Sequence, residues 1–331
     1  MLETIGYDPS MARWAEATDA TLGRVVRVDR GIAAVLTEAG PVRAGLGADA
    51  LRRLAEDPVA APCTGDWCVL RQWVDRRTTL ERVLPRRTAL VRSTAGGQSH
   101  GQVLCANADL VAVVVALEPE PVLSRVERLL SLAWASGAQP VVVLTKADLV
   151  RDAPLIAEDV QAVAPDVEVL TASVASGEGV GRLRGLVGGR LTLALVGSSG
   201  HGKSSLTNAL VGAEVLGTRG IRADGRGRHT TVRRELVLLP GGGALIDTPG
   251  LRGIGLAGEQ AGLRKAFADI GLLAAGCRFD DCAHTGEPGC AVAAAVADGR
   301  LSARRLDRWQ RLQREVAWRS RRASARTSRR R

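Results

Sequence analysis

The sequence predicts a multidomain chain with an N-terminal OB-like β-barrel, a central doubly wound α/β domain and a mainly helical C-terminal domain. Three observations predict it. Short apolar stretches separated by tight turns fill residues 22–91, the pattern of a small barrel. From Leu110 to Leu210 strand-like and helix-like patterns alternate, as they do around a parallel sheet. Beyond residue 260 the strand pattern stops, and a dense Cys/His cluster gives way to arginine-rich helical spacing.

At 331 residues the chain suits two or three domains, and 46% hydrophobic content supplies real cores. No apolar run approaches a membrane span, and Met1-Leu2-Glu3-Thr4 begins no signal peptide, so a cytoplasmic protein without a membrane partner is expected. The net charge is +10, carried almost wholly by arginine, since lysine occurs only at Lys146, Lys203 and Lys265. From Arg300 to Arg331 only Asp307 and Glu315 oppose the positive charge. That is the footprint of a polyanion-binding surface such as one for RNA, with a solvated helix and frayed tail as the plain alternative.

Residues 1–20 read as a loosely ordered leader. In residues 21–95, the expected OB-fold domain, Leu22–Val28 and Ile32–Thr37 are strands around the turn Asp29-Arg30-Gly31. A third extended piece starts at Val42, Ala48–Glu56 is a short helix, Trp67–Leu70 a strand, and Thr88–Val91 the expected last strand. Arg24, Arg27, Arg43, Arg71, Arg76 and Arg77 offer a basic face to an oligonucleotide, or are plain surface residues. Ser93–Gly101 is small, polar and glycine-rich and reads as a linker.

The central domain is expected over residues 96–255. Leu110–Leu117 is a continuous β-branched run, as a central parallel strand requires. Pro121–Ser136 places Val122, Val126, Leu129, Leu130 and Ala133 at helical spacing, and Gly137 stops it. Val141–Leu144 and Val167–Leu170 are further strands, and Gly179–Gly188 is a helix.

Within this frame lies Gly197-Ser198-Ser199-Gly200-His201-Gly202-Lys203-Ser204-Ser205, after the strand Leu191–Val196 and before the helix that starts at Leu206. Strand, glycine-rich turn, Lys-Ser and helix form a phosphate-binding P-loop in its required context. Glycines let backbone N–H groups converge on a phosphate, and the helix N-terminus adds unpaired donors. Lys203 reaches the β- and γ-phosphates, and the Ser204 hydroxyl can ligate Mg²⁺.

Four further stretches meet the needs of a guanine nucleotide. Thr145-Lys146-Ala147-Asp148 ends a strand. Its carboxylate can accept from guanine N1–H and N2–H₂ together, and Lys146 can lie along the base. Thr171-Ala172-Ser173 can bring backbone N–H groups to guanine O6. Asp247-Thr248-Pro249-Gly250 supplies an acid for Mg²⁺ and a Gly250 amide for the γ-phosphate. Gly227–Thr231 lies between them, where a hydroxyl from Thr230 or, preferably, Thr231 would complete the Mg²⁺ site with Ser204 and Asp247. Singly each motif is weak, because Lys-x-Asp at a helix start is most often a cap.

Their order is the most informative feature. The usual sequence is P-loop, threonine switch, Asp-x-x-Gly and then the base-reading motif; here the base-reading motifs come first. A sheet tolerates this as a circular permutation. The central domain is therefore expected to be a circularly permuted α/β P-loop GTPase whose switch after Asp247 leads straight into the C-terminal domain.

Residues 256–318 are expected to form a zinc-binding helical domain. Cys277, Cys282, His284 and Cys290 have Cys-x₄-Cys-x-His-x₅-Cys spacing, which can close a tetrahedron around one structural Zn²⁺. Cys63, Cys68 and Cys105 lack nearby partners in the sequence and read as ordinary cysteines. Ala291–Asp298 is a short helix, and Leu301–Trp318 a longer one with Leu306, Trp309, Leu312 and Val316 on its apolar stripe. Residues 319–331 have too little apolar content to fold and read as a basic disordered tail.

With these motifs and this order, the chain resembles the circularly permuted, ribosome small-subunit-dependent GTPase family, RsgA or YjeQ, over nearly its whole length. The resemblance implies GTP hydrolysis stimulated by the 30S subunit during its late maturation, contact with 16S rRNA, and a monomer. Two departures stand out. The family often carries Asn where this chain has Thr145, which predicts modest guanine affinity, and the threonine run is short because Val232 follows Thr231. Leu251 stands where many GTPases place a water-orienting glutamine. Intrinsic hydrolysis is therefore expected to be slow, with His229 as the internal candidate to orient water beside Lys203 and Thr231. The resemblance supports His229; spacing alone slightly favours a solvent-facing loop histidine. Two rival readings are a GTP-gated rRNA-binding assembly module with incidental hydrolysis, and a P-loop ATPase, against which Asp148 speaks.

Overall fold

The structure, a computed structural model, describes residues 1–16, 20–93, 101–213, 234–249 and 260–328. Helix α1 (Arg13–Glu16) precedes five strands, β1 (Ala20–Asp29), β2 (Ile32–Thr37), β3 (Gly40–Leu46), β4 (Trp67–Gln72) and β5 (Thr78–Val83), with α2 (Ala48–Glu56) between β3 and β4. These strands close a barrel in the order β1-β2-β3-β5-β4. Alternate residues turn inward, and Val25, Ala33, Val35, Ala44, Leu70 and Leu80 fill its core.

Three expectations for this region are corrected. The leader is packed, because Leu2 and Ile5 are buried and the Thr4 carbonyl accepts from the Gly243 N–H at 2.7 Å. The last barrel strand is Thr78–Val83; the stretch around Thr88–Val91 is β6 (Ala89–Ser93), which pairs instead with β7 (Gly101–Ala106). Ser93 and Gly101, the two ends of the expected linker, face each other in that pair; residues 94–100 lie outside the described residues. Arg24 is not on a basic face. It is 1% exposed and donates to the carbonyls of Ile5, Gly65 and Asn107, tying barrel to central domain. Burial lowers its pKa to about 10.

The central sheet comprises β8 (Leu110–Ala116), β9 (Gln139–Thr145), β10 (Glu168–Ala172), β11 (Thr192–Val196), β12 (Glu235–Leu238) and β13 (Ala244–Asp247). Its order is β10-β9-β8-β11-β13-β12, parallel except for the β12–β13 pair. Helices α3 (Leu123–Ala135), α4 (Ala153–Val163), α5 (Val180–Val187) and α6 (Lys203–Val211) cover it. Strands buried on both faces explain the unbroken apolar runs, such as Val111 to Leu117.

The C-terminal part holds α7 (Gln260–Ala266), α8 (Ala268–Ala274), α9 (Ala291–Ala297) and α10 (Ala303–Ser328). Helix α10 runs ten residues beyond Trp318, through most of the expected disordered tail; Arg and Ala are strong helix formers even without an apolar stripe. Gly262 of α7 lies so close to α3 that a Cβ there would fall 2.2 Å from the Ser131 carbonyl oxygen. Trp309 sits half-buried against the core, whereas Trp318 is exposed. Among the described residues no helix is long and apolar enough to cross a membrane.

Arg305 joins these layers. Its guanidinium has five N–H donors. Nε and Nη2 meet the Asp269 carboxylate at 2.6 and 2.8 Å, Nη1 meets Glu127 Oε1 at 2.8 Å and the Val163 carbonyl at 3.2 Å, and Nη2 also meets the Ala266 carbonyl at 3.0 Å. Arg308 donates to the other Glu127 oxygen at 2.6 Å, and Arg128 pairs with Glu315 at 2.6 Å. Burial raises the pKa of Glu127, and the Arg308 and Arg305 guanidiniums work against that shift. Removing one partner from such a buried pair leaves an uncompensated charge. Arg305→Met should therefore destabilise the chain by about 3–5 kcal/mol, read as a lower denaturant midpoint, and Arg305→Lys should not restore it.

Candidate nucleotide site and metal centre

Five of the six sheet strands run parallel, so their carboxyl ends share one edge, where ligands bind in open α/β sheets. The P-loop leaves β11 at that edge, Thr145–Asp148 leaves β9, Ser173 follows β10, and Thr248 and Pro249 follow β13. The rotated chain order thus becomes adjacency in space.

The P-loop conformation rests on its glycines. Gly197 has φ 155°, and a Cβ there would lie 2.3 Å from the Val114 carbonyl oxygen, so only glycine fits. Gly202, at φ 81°, turns the chain into α6. Lys203 is 6% exposed, and its ammonium donates to the carbonyls of Gly197 at 3.0 Å and Ser198 at 2.9 Å. Burial lowers the Lys203 pKa to about 8 against the opposing pull of Asp247. His201 turns Nδ1 to the Val114 carbonyl at 3.1 Å, and its pKa is lowered, chiefly by burial. Ser199, Gly200 and Ser205 complete the run, Gly200 exposed and both serines half-buried.

Three contacts join the separate motifs. The Thr145 hydroxyl, 3% exposed, donates to the His201 carbonyl at 2.8 Å, fastening the end of β9 to the P-loop. Ser173 donates to Asp148 Oδ1 at 2.5 Å, which sets the carboxylate beside the β10 end; Thr171 and Ala172 pair with Leu144 and Thr145 across the ladder. Ser204 donates to Asp247 Oδ2 at 3.3 Å, with Asp247 fully buried. Thr248 locks the β13 end by donating to the Leu195 carbonyl at 2.6 Å. Lys146 has a left-handed backbone (φ 61°) and leaves Asp148 exposed at the edge. His229, Thr230, Thr231, Gly250 and Leu251 lie outside the described residues.

Sequence reasoning missed Arg125, in the first turn of α3. Its Nη1 donates to the Ser198 hydroxyl at 3.2 Å. Only its place after a site-edge strand could have signalled it.

At the second centre, the ligand atoms of Cys277, Cys282, His284 and Cys290 all lie within 4.8 Å of one another. His284 Nδ1 is 3.6 Å from Cys277 Sγ and 3.4 Å from Cys290 Sγ, and the two sulfurs are 4.0 Å apart. A tetrahedral ion with thiolate and imidazole ligands spaces its donors roughly 3.4–3.8 Å apart, so this set fits one metal ion. The Ala293 N–H points at Cys290 Sγ at 3.3 Å, and Gln310 holds the His284 carbonyl at 3.0 Å. Glu287 accepts from the amides of Ala283, Thr285 and Gly286 at 3.0, 2.7 and 3.1 Å; its own amide and those of Thr285 and Ala283 hold its pKa at about 2. Cys63, Cys68 and Cys105 are buried and not part of this set, and burial raises their pKa values.

A family model described as RsgA GTPase matches residues 83–257. A small ribosomal subunit biogenesis GTPase RsgA of Streptomyces avermitilis is 52% identical over 297 residues, covering 88% of this chain and 79% of that one. A protein of the same name from Streptomyces coelicolor is 49% identical over 324 residues, covering 95% and 86%. Among solved structures, YjeQ from Thermotoga maritima aligns with a TM-score of 0.66 at 24% identity over 90% of this chain and 99% of that one. YloQ, a circularly permuted GTPase, aligns at 0.63 and 23% identity over 91% and 96%. The fold of this chain is the fold of those two.

The Lys203 pKa of about 8 carries a measurable consequence for any phosphate ligand. Phosphate charge beside Nζ raises that pKa, so binding takes up a proton wherever the free lysine has lost one. Affinity for GDP without magnesium should fall as pH rises through about 8, and near that pH binding should take up about half a proton. Calorimetric titration in two buffers of different ionisation enthalpy reads this directly.

Proposed function

The chain belongs to the RsgA GTPase family, and from that premise we propose that it hydrolyses GTP to GDP and phosphate under stimulation by the 30S subunit, late in that subunit's maturation. The observation that carries the reading is the set of contacts Asp148–Ser173, Thr145–His201 and Ser204–Asp247, which links base-reading, phosphate-holding and switch segments along one sheet edge.

Each residue then has a task. Asp148 reads guanine N1–H and N2–H₂ with Lys146 along the base, and the backbone of Thr171, Ala172 and Ser173 faces O6. The run from Gly197 to Ser205 cradles the phosphates, with Lys203 leaving its two carbonyls for the β- and γ-oxygens. Thr145 gives its hydroxyl to the P-loop rather than to the base, so its effect on guanine affinity is indirect. Ser204, Asp247 and Thr231 would hold Mg²⁺, which neutralises phosphate charge when bound. Gly250 senses the γ-phosphate, and His229 orients the attacking water, because the aliphatic side chain of Leu251 can neither donate nor accept.

Cys277, Cys282, His284 and Cys290 would hold one structural Zn²⁺, leaving no open coordination position for chemistry. Arg300, Arg304, Arg311 and Arg314 are exposed along and just before α10 and suit the phosphates of 16S rRNA. The protein works as a cytoplasmic monomer on the ribosomal particle. The rival rRNA-binding module with incidental hydrolysis lacks comparable support, because the relatives are named as GTPases.

Turnover measured with 30S subunits, 50S subunits and naked RNA tests the reading. Stimulation by 30S alone is expected; equal rates in all three arms would refute it. His229→Ala should lower the stimulated rate by about 10²-fold or more.

A further inference from the structure

We propose that Arg125 is a catalytic residue in cis, a cation that leaves Ser198 for the γ-phosphate when GTP binds and stabilises the charge that hydrolysis spreads over its oxygens. The inference rests on the reading of this site as a GTPase and adds a residue to it.

Topology puts Arg125 in the crevice. Strand β8 separates β11, which carries the P-loop, from β9, which carries the base-reading motif. Helix α3 follows β8, so its first turn opens at the same edge, and Arg125 is its third residue.

The contacts say which end of the nucleotide Arg125 faces. Lys203 is the group that reaches the β- and γ-phosphates, and its ammonium rests on the Gly197 and Ser198 carbonyls. Arg125 donates to the hydroxyl of that same Ser198 at 3.2 Å. One residue therefore holds two cations, and it lies at the γ end of the loop.

Charge says what Arg125 awaits. Arg128, Arg305 and Arg308, on α3 or packed against it, each meet a carboxylate. Arg125 is exposed, and among the described residues it meets only the neutral Ser198 hydroxyl. After burial and its carbonyl contact, the His201 ring feels Lys203, Arg125 and Lys146, in that order, so the loop mouth is positive. A neutral hydroxyl is a weaker acceptor than a phosphate oxygen, so an arriving γ-phosphate displaces it.

The chemistry then balances simply. Water attacks the γ-phosphorus, the bond to the GDP oxygen breaks with its electron pair left on GDP, and the water's proton passes to the released inorganic phosphate. Arg125 transfers no proton; it stays cationic and binds the equatorial oxygens, whose charge grows in the transition state. Leu251 in the usual glutamine position makes such a group more necessary.

Arg125→Ala and Arg125→Lys in the full chain test this. The alanine variant should bind GDP within about twofold of the parent, bind a non-hydrolysable GTP analogue about tenfold more weakly, and lose roughly 10²–10³-fold in single-turnover hydrolysis on 30S subunits. Added guanidinium ion should restore part of that rate, and the lysine variant should recover part of the analogue affinity. Equal loss for GDP and the analogue would show a merely structural role at Ser198 and overturn the proposal, as would an unchanged rate. The binding arm needs no ribosome, so it stands even if stimulation by 30S fails.

Discussion

The hydroxyl of Thr145 bonded to the carbonyl of His201 is the constraint on which the nucleotide site depends. The proposed base-reading segment and the P-loop sit on different strands, and β8 lies between them. Each half is rigid by itself: the P-loop is pinned by Gly197 against Val114, and the base-reading end by Asp148 on Ser173. Besides the ladders through β8, a direct contact across the gap helps to set the distance between the two halves. The buried Thr145 supplies that contact with a single donor, and so a residue first read as a weakened base contact becomes the strut of the site.

The permutation changes what the site can drive. The chain leaves the sheet after Asp247 and enters the helical C-terminal part. That part is held to the sheet by helix α3, through Glu127 and the five-donor grip of Arg305. Helix α3 also starts at the P-loop, with Arg125 on Ser198. One helix thus touches the phosphate end of the site and the hub that carries the metal centre and the arginine-rich α10. Both routes out of the site, the chain after Asp247 and helix α3, lead to the part that carries the arginine-rich α10.

Much of this was legible in the sequence because the chemistry is local. The P-loop, the Lys-x-Asp motif and the Cys/His cluster are short patterns at strand or helix ends, and strand patterning put the first two at one sheet edge. What escaped is non-local. Arg24 meets the Asn107 carbonyl 83 residues away, Arg125 meets Ser198 73 residues away, and Arg305 meets Glu127 178 residues away. In a chain rich in arginine, nothing local marks Arg24 and Arg305 as buried. The leader was misread for the same reason: Leu2 and Ile5 have no period of their own, and their burial exists only once β1 and the central domain are in place. The end of α10 was misread because composition without an apolar stripe suggests disorder, whereas Arg and Ala extend an already nucleated helix.

The central claim is that the segments from β9, β10, β11 and β13 enclose one guanine nucleotide. Its most direct test is the base preference of Asp148→Asn. The carboxylate accepts from guanine N1–H and N2–H₂, whereas an amide can donate to the oxygen that xanthine carries at position 2. The account predicts that this variant loses GDP and gains XDP in competition binding. A variant that kept its preference for GDP would place the base elsewhere and contradict the site described.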